Sequence, residues 1–146
     1  MNIRLMNEND YDNTYQIWIN TPGMGLNNLD DSREGIAKFL KRNPKTCFVA
    51  EDNGKLIGII MSGNDGRRGY IYHTAVVPAE RNKGVGTALL NVSLNALKEE
   101  GINKVALVVF AENITGNKFW ESHEFIQRND LIYRNKALSD IQRIDT

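Results

Sequence analysis

The most constraining feature of the sequence is a segment that passes from an extended stretch, through a basic glycine loop, into a long apolar helix. A strand is predicted over about 69–77, and it ends at Pro78 because proline cannot donate a ladder hydrogen bond. Residues 84–100 repeat apolar side chains at helical spacing over a wide face, which is typical of a helix packed on a sheet. Alternating and helical patterns elsewhere indicate a mixed α/β domain.

The rest of the pattern completes this domain without repeats or linkers. Helices are predicted for residues 10–20, 32–42 and 115–123, and strands for 3–6, 46–51, 55–62, 104–110, 125–128 and 131–135. The run 104–110 is nearly continuously apolar and therefore predicts a buried central strand. We expect a single domain over residues 1–146, with a frayed polar tail at 139–146.

Composition excludes several classes of function. Lys plus Arg and Asp plus Glu are both 18, so the basic footprint of a nucleic-acid-binding protein is missing. Cys47 is the single cysteine and the two histidines lie fifty residues apart, which argues against a disulfide and a metal site. No apolar stretch approaches the ~20 residues of a membrane helix. We expect a cytoplasmic monomer or homodimer without membrane contact.

The loop at residues 81–87 has the chemistry of a phosphate-binding site. The first N–H groups of a helix lack intrahelical partners, and Gly84 and Gly86 leave room for a ligand to reach them. A nucleoside-triphosphate loop is excluded because Lys83 precedes Gly84, and a dinucleotide fingerprint is weakened because Leu89 occupies the third glycine position. Tight packing of the helix is the alternative explanation for the glycines.

These residues resemble a known family. Arg81-Asn82-Lys83-Gly84-Val85-Gly86 is similar to the Arg/Gln-x-x-Gly-x-Gly/Ala signature of the GNAT superfamily of acetyl-CoA-dependent N-acetyltransferases. Ala75-Val76-Val77-Pro78 resembles the family's fourth strand, and Asn113 with Phe119-Trp120-Glu121 and Phe125 resembles its second landmark. The resemblance implies a mixed, mostly antiparallel sheet that is splayed between its fourth and fifth strands and flanked by about four helices.

The resemblance also implies how acetyl-CoA would bind. The pantetheine arm would lie in the splayed gap and bond main-chain groups of Ala75, Val76 and Val77. Asn113 would bond the end of this arm, although a helix cap is its alternative role. The pyrophosphate would lie on the N–H groups of Arg81, Asn82, Lys83, Gly84, Val85, Gly86 and Thr87.

Catalysis in this family is direct transfer of the acetyl group to a primary amine, here of an unidentified acceptor. A main-chain N–H of the fourth strand, from Val76 or a neighbour, would stabilise the oxyanion. The family's usual thiolate-protonating tyrosine is replaced by Trp120, which would contact the cofactor but is no practical general acid. The candidates that remain for acid or base are Tyr70, Tyr72, Tyr133 and His73.

These candidates differ in where we expect their side chains. Alternation places Tyr70 and Tyr72 on one face of their strand and His73 on the other, unless a bulge shifts the register. Tyr133, on the last predicted strand, could reach the gap and replace the missing tyrosine. If none of them acts, the alternative is a non-catalytic acyl-CoA-binding sensor or partner subunit.

The loop at residues 22–28 joins the first two predicted helices, which form the acceptor wall in this family. Its side chains Met24, Leu26 and Asn27 are therefore the predicted acceptor contacts. Asp30, Asp31 and Glu34 have a sufficient explanation as acids in the first turn of the second helix.

Overall fold

The computed structural model describes residues 1–144, and within them five strands form one sheet in chain order. The strands are β1 (Asn2–Leu5), β2 (Phe48–Asp52), β3 (Lys55–Asn64), β4 (Gly69–Val76) and β5 (Val105–Ala106). Neighbouring strands are antiparallel except β4 and β5, which are parallel. The α-helices of this part of the chain are α1 (Tyr11–Ile19), α2 (Arg33–Arg42), α3 (Val85–Glu99) and α4 (Ile114–Ser122). The mixed, mostly antiparallel fold predicted from the sequence is confirmed.

Local sequence signals account for most element ends. The Asn53-Gly54 turn has both residues at positive φ, as a two-residue hairpin requires. The Ser32 hydroxyl caps α2 by accepting a hydrogen bond from the N–H of Gly35. Asp10 precedes α1, where its residue type favours a side-chain cap, but it makes no such bond because its carboxylate is held by the Arg4 guanidinium.

The sheet is covered on both faces, which explains why β3 is buried over most of its length. On one face Trp18 of α1 and Ile36 of α2 pack with Met61 of β3. On the other face α3 contributes Leu89 and Leu90 to a second apolar cluster. Each face buries large apolar side chains, and this burial is the main favourable term in the stability of such a domain.

The pairing of β4 with β5 ends early. Its register covers only Gly69 with Val105 and Tyr70 with Ala106. Beyond these pairs the two chains diverge, so the predicted splay between the fourth and fifth strands is confirmed. We call the resulting gap, between residues 71–77 and 107–110, the slot.

Three strand predictions in the C-terminal third are wrong. The predicted strand 104–110 is reduced to β5, and the predicted strands 125–128 and 131–135 are absent from the described residues. Since β5 is the last strand of the described sheet, alternate side chains beyond it face solvent, and Val108 and Phe110 are 56% and 45% exposed. A continuous apolar run is buried on both faces only inside a sheet.

Residues 142–144 of the tail are hydrogen-bonded to the loop between α1 and α2. Asn28 N–H donates to the carbonyl of Gln142, and Ile144 N–H donates to the carbonyl of Leu26. These bonds, with the isolated bridge between Asn27 and Arg143, hold the tail against the loop between α1 and α2. Residues 145 and 146 of the predicted tail lie outside the described residues.

None of the helices in residues 1–144 is both long enough and apolar enough to cross a membrane.

Replacing Gly35 by alanine is expected to destabilise the protein. A Cβ at Gly35 would clash with the backbone carbonyl oxygens of Leu29 and Asp30, which cannot rotate away as a side chain can. We expect the free energy of unfolding in urea to fall by about 1–2 kcal/mol, the cost of local overpacking less the gain in helix propensity. Glu34→Ala, at the neighbouring exposed position of α2, is the control and should change stability by less than about 0.5 kcal/mol. Equal stability of Gly35→Ala and wild type would contradict this account of the loop.

Candidate active site

An open cleft of about 1290 Å³ runs over the slot and brings most of the predicted site residues together. Those lining it are Met24, Asn27, Tyr70, Tyr72, His73, Ala75, Val76, Arg81, Asn82, Gly84, Val85, Gly86, Thr87, Asn113, Trp120 and Tyr133. Three predicted residues, Leu26, Val77 and Lys83, do not line it. The cleft therefore joins the glycine loop to the wall formed by the α1–α2 loop.

The edge of β4 that faces the slot presents the main chain of Val76. Val77 N–H donates to the carbonyl of Ile57 on β3, and its own carbonyl accepts from Glu80 N–H, so neither group is available to a ligand. Since backbone groups of successive strand residues point to opposite edges, those of Ala75 also face β3 and those of Val76 face the slot. Of the three predicted pantetheine contacts, this geometry leaves the N–H of Val76, because the Val76 carbonyl already accepts from Arg81 Nε.

The glycine loop presents a row of N–H groups at the start of α3. From Asn82 to Thr87, none of the backbone N–H groups has a hydrogen-bond acceptor within residues 1–144. The first intrahelical bond of α3 comes later, from Ala88 N–H to the carbonyl of Gly84. We call residues 82–87 the cradle. It combines free donors with the positive end of a helix dipole, the arrangement that binds phosphate groups.

The two glycines of the cradle serve different purposes. Gly84 has φ +85° and nothing within 4 Å of the place a Cβ would take, so it is required by backbone conformation. Gly86 lies against the Phe119 ring, which a Cβ would approach to 3.1 Å. The tight-packing explanation therefore applies to Gly86, where the helix start meets α4.

The two cations predicted near the phosphates are held differently. Arg81 Nε donates to the carbonyl of Val76 at 2.9 Å, which ties the loop to the end of β4 and leaves the rest of the guanidinium in the cleft. Lys83 Nζ pairs with the Glu80 carboxylate at 3.2 Å and lies outside the cleft lining. Only Arg81 of this pair is placed to face a bound anion.

At the other side of the slot, α4 presents Asn113 and Trp120. The Asn113 Oδ1 caps α4 by accepting from Gly116 N–H at 2.9 Å, which is the alternative role considered for it. Its Nδ2 points toward the α1–α2 loop, where a Cβ on Gly23 would lie 3.2 Å from it. The Trp120 ring packs edge-on against Phe119 and Phe125. Trp120 therefore fills the tyrosine position with an apolar wall.

Three tyrosines meet at the acceptor end of the cleft. The rings of Tyr70 and Tyr72 lie 4.6 Å apart, and Tyr72 also packs edge-on against Phe39 of α2. Burial raises the pKa of Tyr70 to about 12, with further contributions from Tyr133 and Tyr72. Burial, followed by the negative charge of Asp30, also raises the pKa of Tyr72. Both hydroxyls are therefore proton donors rather than bases at neutral pH.

A β-bulge changes the position of His73. In the β3–β4 register, Ile60 pairs with Thr74 and Ser62 pairs with Ile71, so two residues of β4 oppose one residue of β3. Such a bulge shifts the alternation of side chains along the strand. His73 consequently packs against Trp18, on the face of the sheet covered by α1 and α2, together with Tyr72. The bulge named as the exception to simple alternation is therefore present, and it brings the two side chains to one face.

His73 is hydrogen-bonded to Asp31, which the sequence predicts as an acid in the first turn of the second helix. Its Nε2 lies 2.6 Å from Oδ1 of Asp31, and the two side chains are only 14% and 5% exposed. The Asp31 Oδ2 accepts from Asn27 N–H at 2.8 Å. Ser32 supplies the cap of α2, so Asp31 is not needed there. The sequence signal for a different role of Asp31 was its position next to Ser32, which caps α2 by itself.

The α1–α2 loop, residues 20–32, closes the acceptor end of the cleft. Leu26, predicted as an acceptor contact, is 1% exposed and packs in the apolar cluster with Trp18, because the loop turns its apolar side chain inward. Met24 and Asn27 remain on the cleft side. The bridge between Asn27 and Arg143 adds the tail to this wall.

Comparison with known proteins agrees with this geometry. Residues 11–125 match the family model described as the acetyltransferase (GNAT) family. An acetyltransferase of Pectobacterium atrosepticum is 30% identical over 125 residues, which cover 86% of this chain and 87% of that protein.

Solved structures show the same fold. The crystal structure of Ard1 from Thermoplasma volcanium superposes with a TM-score of 0.77 at 22% identity, covering 86% of this chain and 82% of that one. The PaiA N-acetyltransferase from Thermoplasma acidophilum, solved in complex with coenzyme A, gives a TM-score of 0.70 at 16% identity, covering 84% and 89% of the two chains. At these identities the likeness establishes the fold alone.

The raised pKa of Tyr70 predicts a loss of stability at alkaline pH. An unfolded tyrosine ionises near pH 10, whereas Tyr70 in the folded protein does so at about 12. The contribution of Tyr70 is therefore fully present below about pH 10 and is lost as the pH rises through about 12. We expect Tyr70→Phe to lose less free energy of unfolding than wild type over this interval, measured by urea unfolding at several pH values.

The comparison isolates Tyr70 because other alkaline ionisations occur in both proteins. Burial raises the pKa of the Cys47 thiol to about 12 as well, and this contribution cancels in the difference between the two proteins. Parallel stability curves for wild type and Tyr70→Phe would contradict the assigned burial of the phenol.

Proposed function

The chain belongs to the GNAT family of acetyltransferases, and we propose that it transfers the acetyl group of acetyl-CoA directly to the primary amine of an acceptor. The observation that carries this proposal is the cradle. Its backbone N–H groups have no hydrogen-bond acceptor within residues 1–144, and they lie where β4 and β5 diverge. A pyrophosphate on these groups would direct the rest of the donor along the slot toward the tyrosines and His73.

The residues present fit coenzyme A in three respects. The cradle offers free main-chain donors, Arg81 adds a cation, and the slot leaves the main chain of Val76 facing the cleft. The cleft is large enough for an extended ligand, at about 1290 Å³. The related fold of the Thermoplasma acidophilum enzyme, solved with coenzyme A, supports the same ligand class here.

Acetyl-CoA would supply an acetyl group activated as a thioester. The chemistry left to the protein is to orient this group, to stabilise the oxyanion that forms on its carbonyl oxygen and to move protons. The Val76 N–H faces the slot and is the donor that we assign to the oxyanion. A main-chain donor held in a sheet is already oriented before reaction, which is what such stabilisation requires.

The departing thiolate needs a proton donor. Trp120 offers an indole N–H that does not exchange its proton readily, so the tyrosines are better candidates. Tyr72 and Tyr133 line the cleft and interact electrostatically with each other and with Tyr70. A phenol is a competent acid at neutral pH and can recover its proton from solvent.

The acceptor would enter between the α1–α2 loop and the tyrosine cluster. Met24 and Asn27 form the loop side of this entrance, and Asp30 contributes a negative charge close to Tyr72. An ammonium group is attracted both by a carboxylate and by the faces of aromatic rings. These side chains are therefore suited to an amine that arrives in its protonated form.

Binding of acetyl-CoA by calorimetric titration tests the cradle. We expect Gly86→Glu to abolish binding, since it adds bulk and negative charge at the phosphate site. Asn82→Asp is the milder test, because it adds a charge without bulk at an asparagine that already has φ +62°. It should weaken binding about tenfold through repulsion of the pyrophosphate.

Asn53→Asp is the matched control for this charge. Asn53 also has positive φ, at +51°, but it lies in the β2–β3 turn, which does not line the cleft. This variant should bind acetyl-CoA as wild type does. Equal affinities of all variants would place the pyrophosphate elsewhere, and a folded wild type without acetyl-CoA binding would overturn the proposed function.

Turnover is tested by release of the CoA thiol with a broad panel of primary amines. We expect Tyr133→Phe or Tyr72→Phe to lower kcat about tenfold or more while leaving acetyl-CoA affinity unchanged, as loss of a proton donor would. Unchanged turnover in both variants would remove these tyrosines from the mechanism. Tight binding of acetyl-CoA without thiol release from any amine would favour a non-catalytic acyl-CoA-binding role.

A further inference from the structure

We propose that His73 and Asp31 form a proton-accepting dyad, in which Asp31 fixes the tautomer and orientation of His73 and His73 deprotonates the acceptor ammonium. This inference rests on the proposed function and adds to it the residue that prepares the nucleophile. It also predicts that the acceptor is a basic amine, which reaches the site with its proton still bound.

The geometry of the pair comes from two separate elements. The bulge in β4 turns His73 onto the α1–α2 side of the sheet, and the α1–α2 loop places Asp31 Oδ1 2.6 Å from His73 Nε2. Asp31 is held on its other sides, since its Oδ2 accepts from Asn27 N–H and its carbonyl accepts from the Tyr11 hydroxyl. The carboxylate therefore cannot follow the ring if the ring rotates.

This bond determines which ring nitrogen carries the proton. An ionised carboxylate only accepts hydrogen bonds, so in the neutral imidazole Nε2 carries the proton and Nδ1 holds the lone pair. Within residues 1–144, Nδ1 has no hydrogen-bond partner. The edge-on contact with the buried Trp18 ring, at 4.9 Å between centroids, fixes the remaining freedom of the imidazole.

Acetyl transfer removes two protons from the acceptor nitrogen. Nδ1 of His73 takes one proton from the ammonium, and the free amine attacks the thioester carbonyl carbon. The new C–N bond forms, the C–S bond breaks, and the electron pair leaves with the CoA sulfur. The second proton lost by the nitrogen is matched by the proton that the thiolate gains, while the imidazolium, stabilised by Asp31, returns its proton to solvent.

Other titratable groups lie on the elements around the cleft. Asp30 of the α1–α2 loop, Tyr72 of β4, and Lys38 and Arg42 of α2 line the same cleft, and the Tyr11 hydroxyl of α1 donates to the Asp31 carbonyl. None of these groups is hydrogen-bonded to the imidazole, whose partner within residues 1–144 is Asp31. The other groups are shared by all variants below, so their effect cancels in the comparison.

The test compares two kinds of acceptor. With the basic primary amine that the panel identifies, we expect His73→Asn to lower kcat about 100-fold or more, as loss of a general base does. Hydroxylamine is largely unprotonated at neutral pH and needs no base, so the same variant should lose less than about tenfold with it. A purely structural defect would lower both rates alike.

Asp31→Asn tests the positioning role. An asparagine can present its Nδ2 to the imidazole, which would force Nε2 to accept and move the ring proton to Nδ1. Nitrogen-15 NMR of the imidazole, with the protein saturated with CoA, should show protonated Nε2 in wild type and protonated Nδ1 in Asp31→Asn. The wild-type pH profile of kcat/KM should have an acidic limb that is absent in His73→Asn. Asp12→Asn, at an exposed carboxylate of α1, is the control and should behave as wild type.

The outcomes separate the two proposals. A panel without any turnover overturns the proposed function and this inference with it. An active wild type whose rate with the basic amine survives His73→Asn, or which loses activity equally with both acceptors, overturns the dyad alone. A neutral wild-type imidazole whose single proton is on Nδ1 would also overturn it, whatever the rates.

Discussion

Backbone hydrogen bonding between β4 and β5 ends at Tyr70 and Ala106, and the cleft exists because it ends there. A parallel pair that continued would have consumed the main-chain groups of Val76 and covered the start of α3. Because the chains diverge instead, the same strand that presents Val76 leads directly into the cradle. The early end of hydrogen bonding between β4 and β5 thus supplies a place for an extended ligand, a donor for an oxyanion and access to the N-terminus of α3.

The two ends of the cleft differ in whether backbone or side-chain groups form them. The cradle consists mostly of backbone N–H groups, and its side chains matter chiefly by being absent or by tying the loop down, as Arg81 does. The acceptor end consists of side chains that depend on one another, with Asp31 bonded to His73 and Tyr72 packed between Tyr70 and Phe39. Backbone donors survive a change of side chain wherever the backbone conformation is kept, whereas a change at the acceptor end removes the interacting group itself.

What could be predicted from the sequence follows the same division. The strand, glycine loop and helix around the cradle are encoded locally, by Pro78, Gly84 and an apolar stripe, so their positions were predicted within a residue or two. The face of the sheet on which His73 lies could not be decided from the sequence. The β-bulge depends on how β3 and β4 pair, and it leaves the alternating pattern of residue types unchanged. The burial of Leu26 and the loss of strands after residue 106 likewise depend on what packs nearby, which periodicity does not encode.

The pairing of the tail with the α1–α2 loop bears on the order in which the site assembles. Asn28 and Gln142, which bond to each other, stand 114 residues apart in the chain, whereas the cradle follows its strand within a dozen residues. Closing the longer loop costs roughly 2 kcal/mol more in chain entropy, and contacts of such separation form late during folding. The same contacts open early when the native state loosens locally. Where these tail contacts open before the sheet does, the acceptor wall is lost while the cradle stays intact, and acceptor selectivity fails before donor binding.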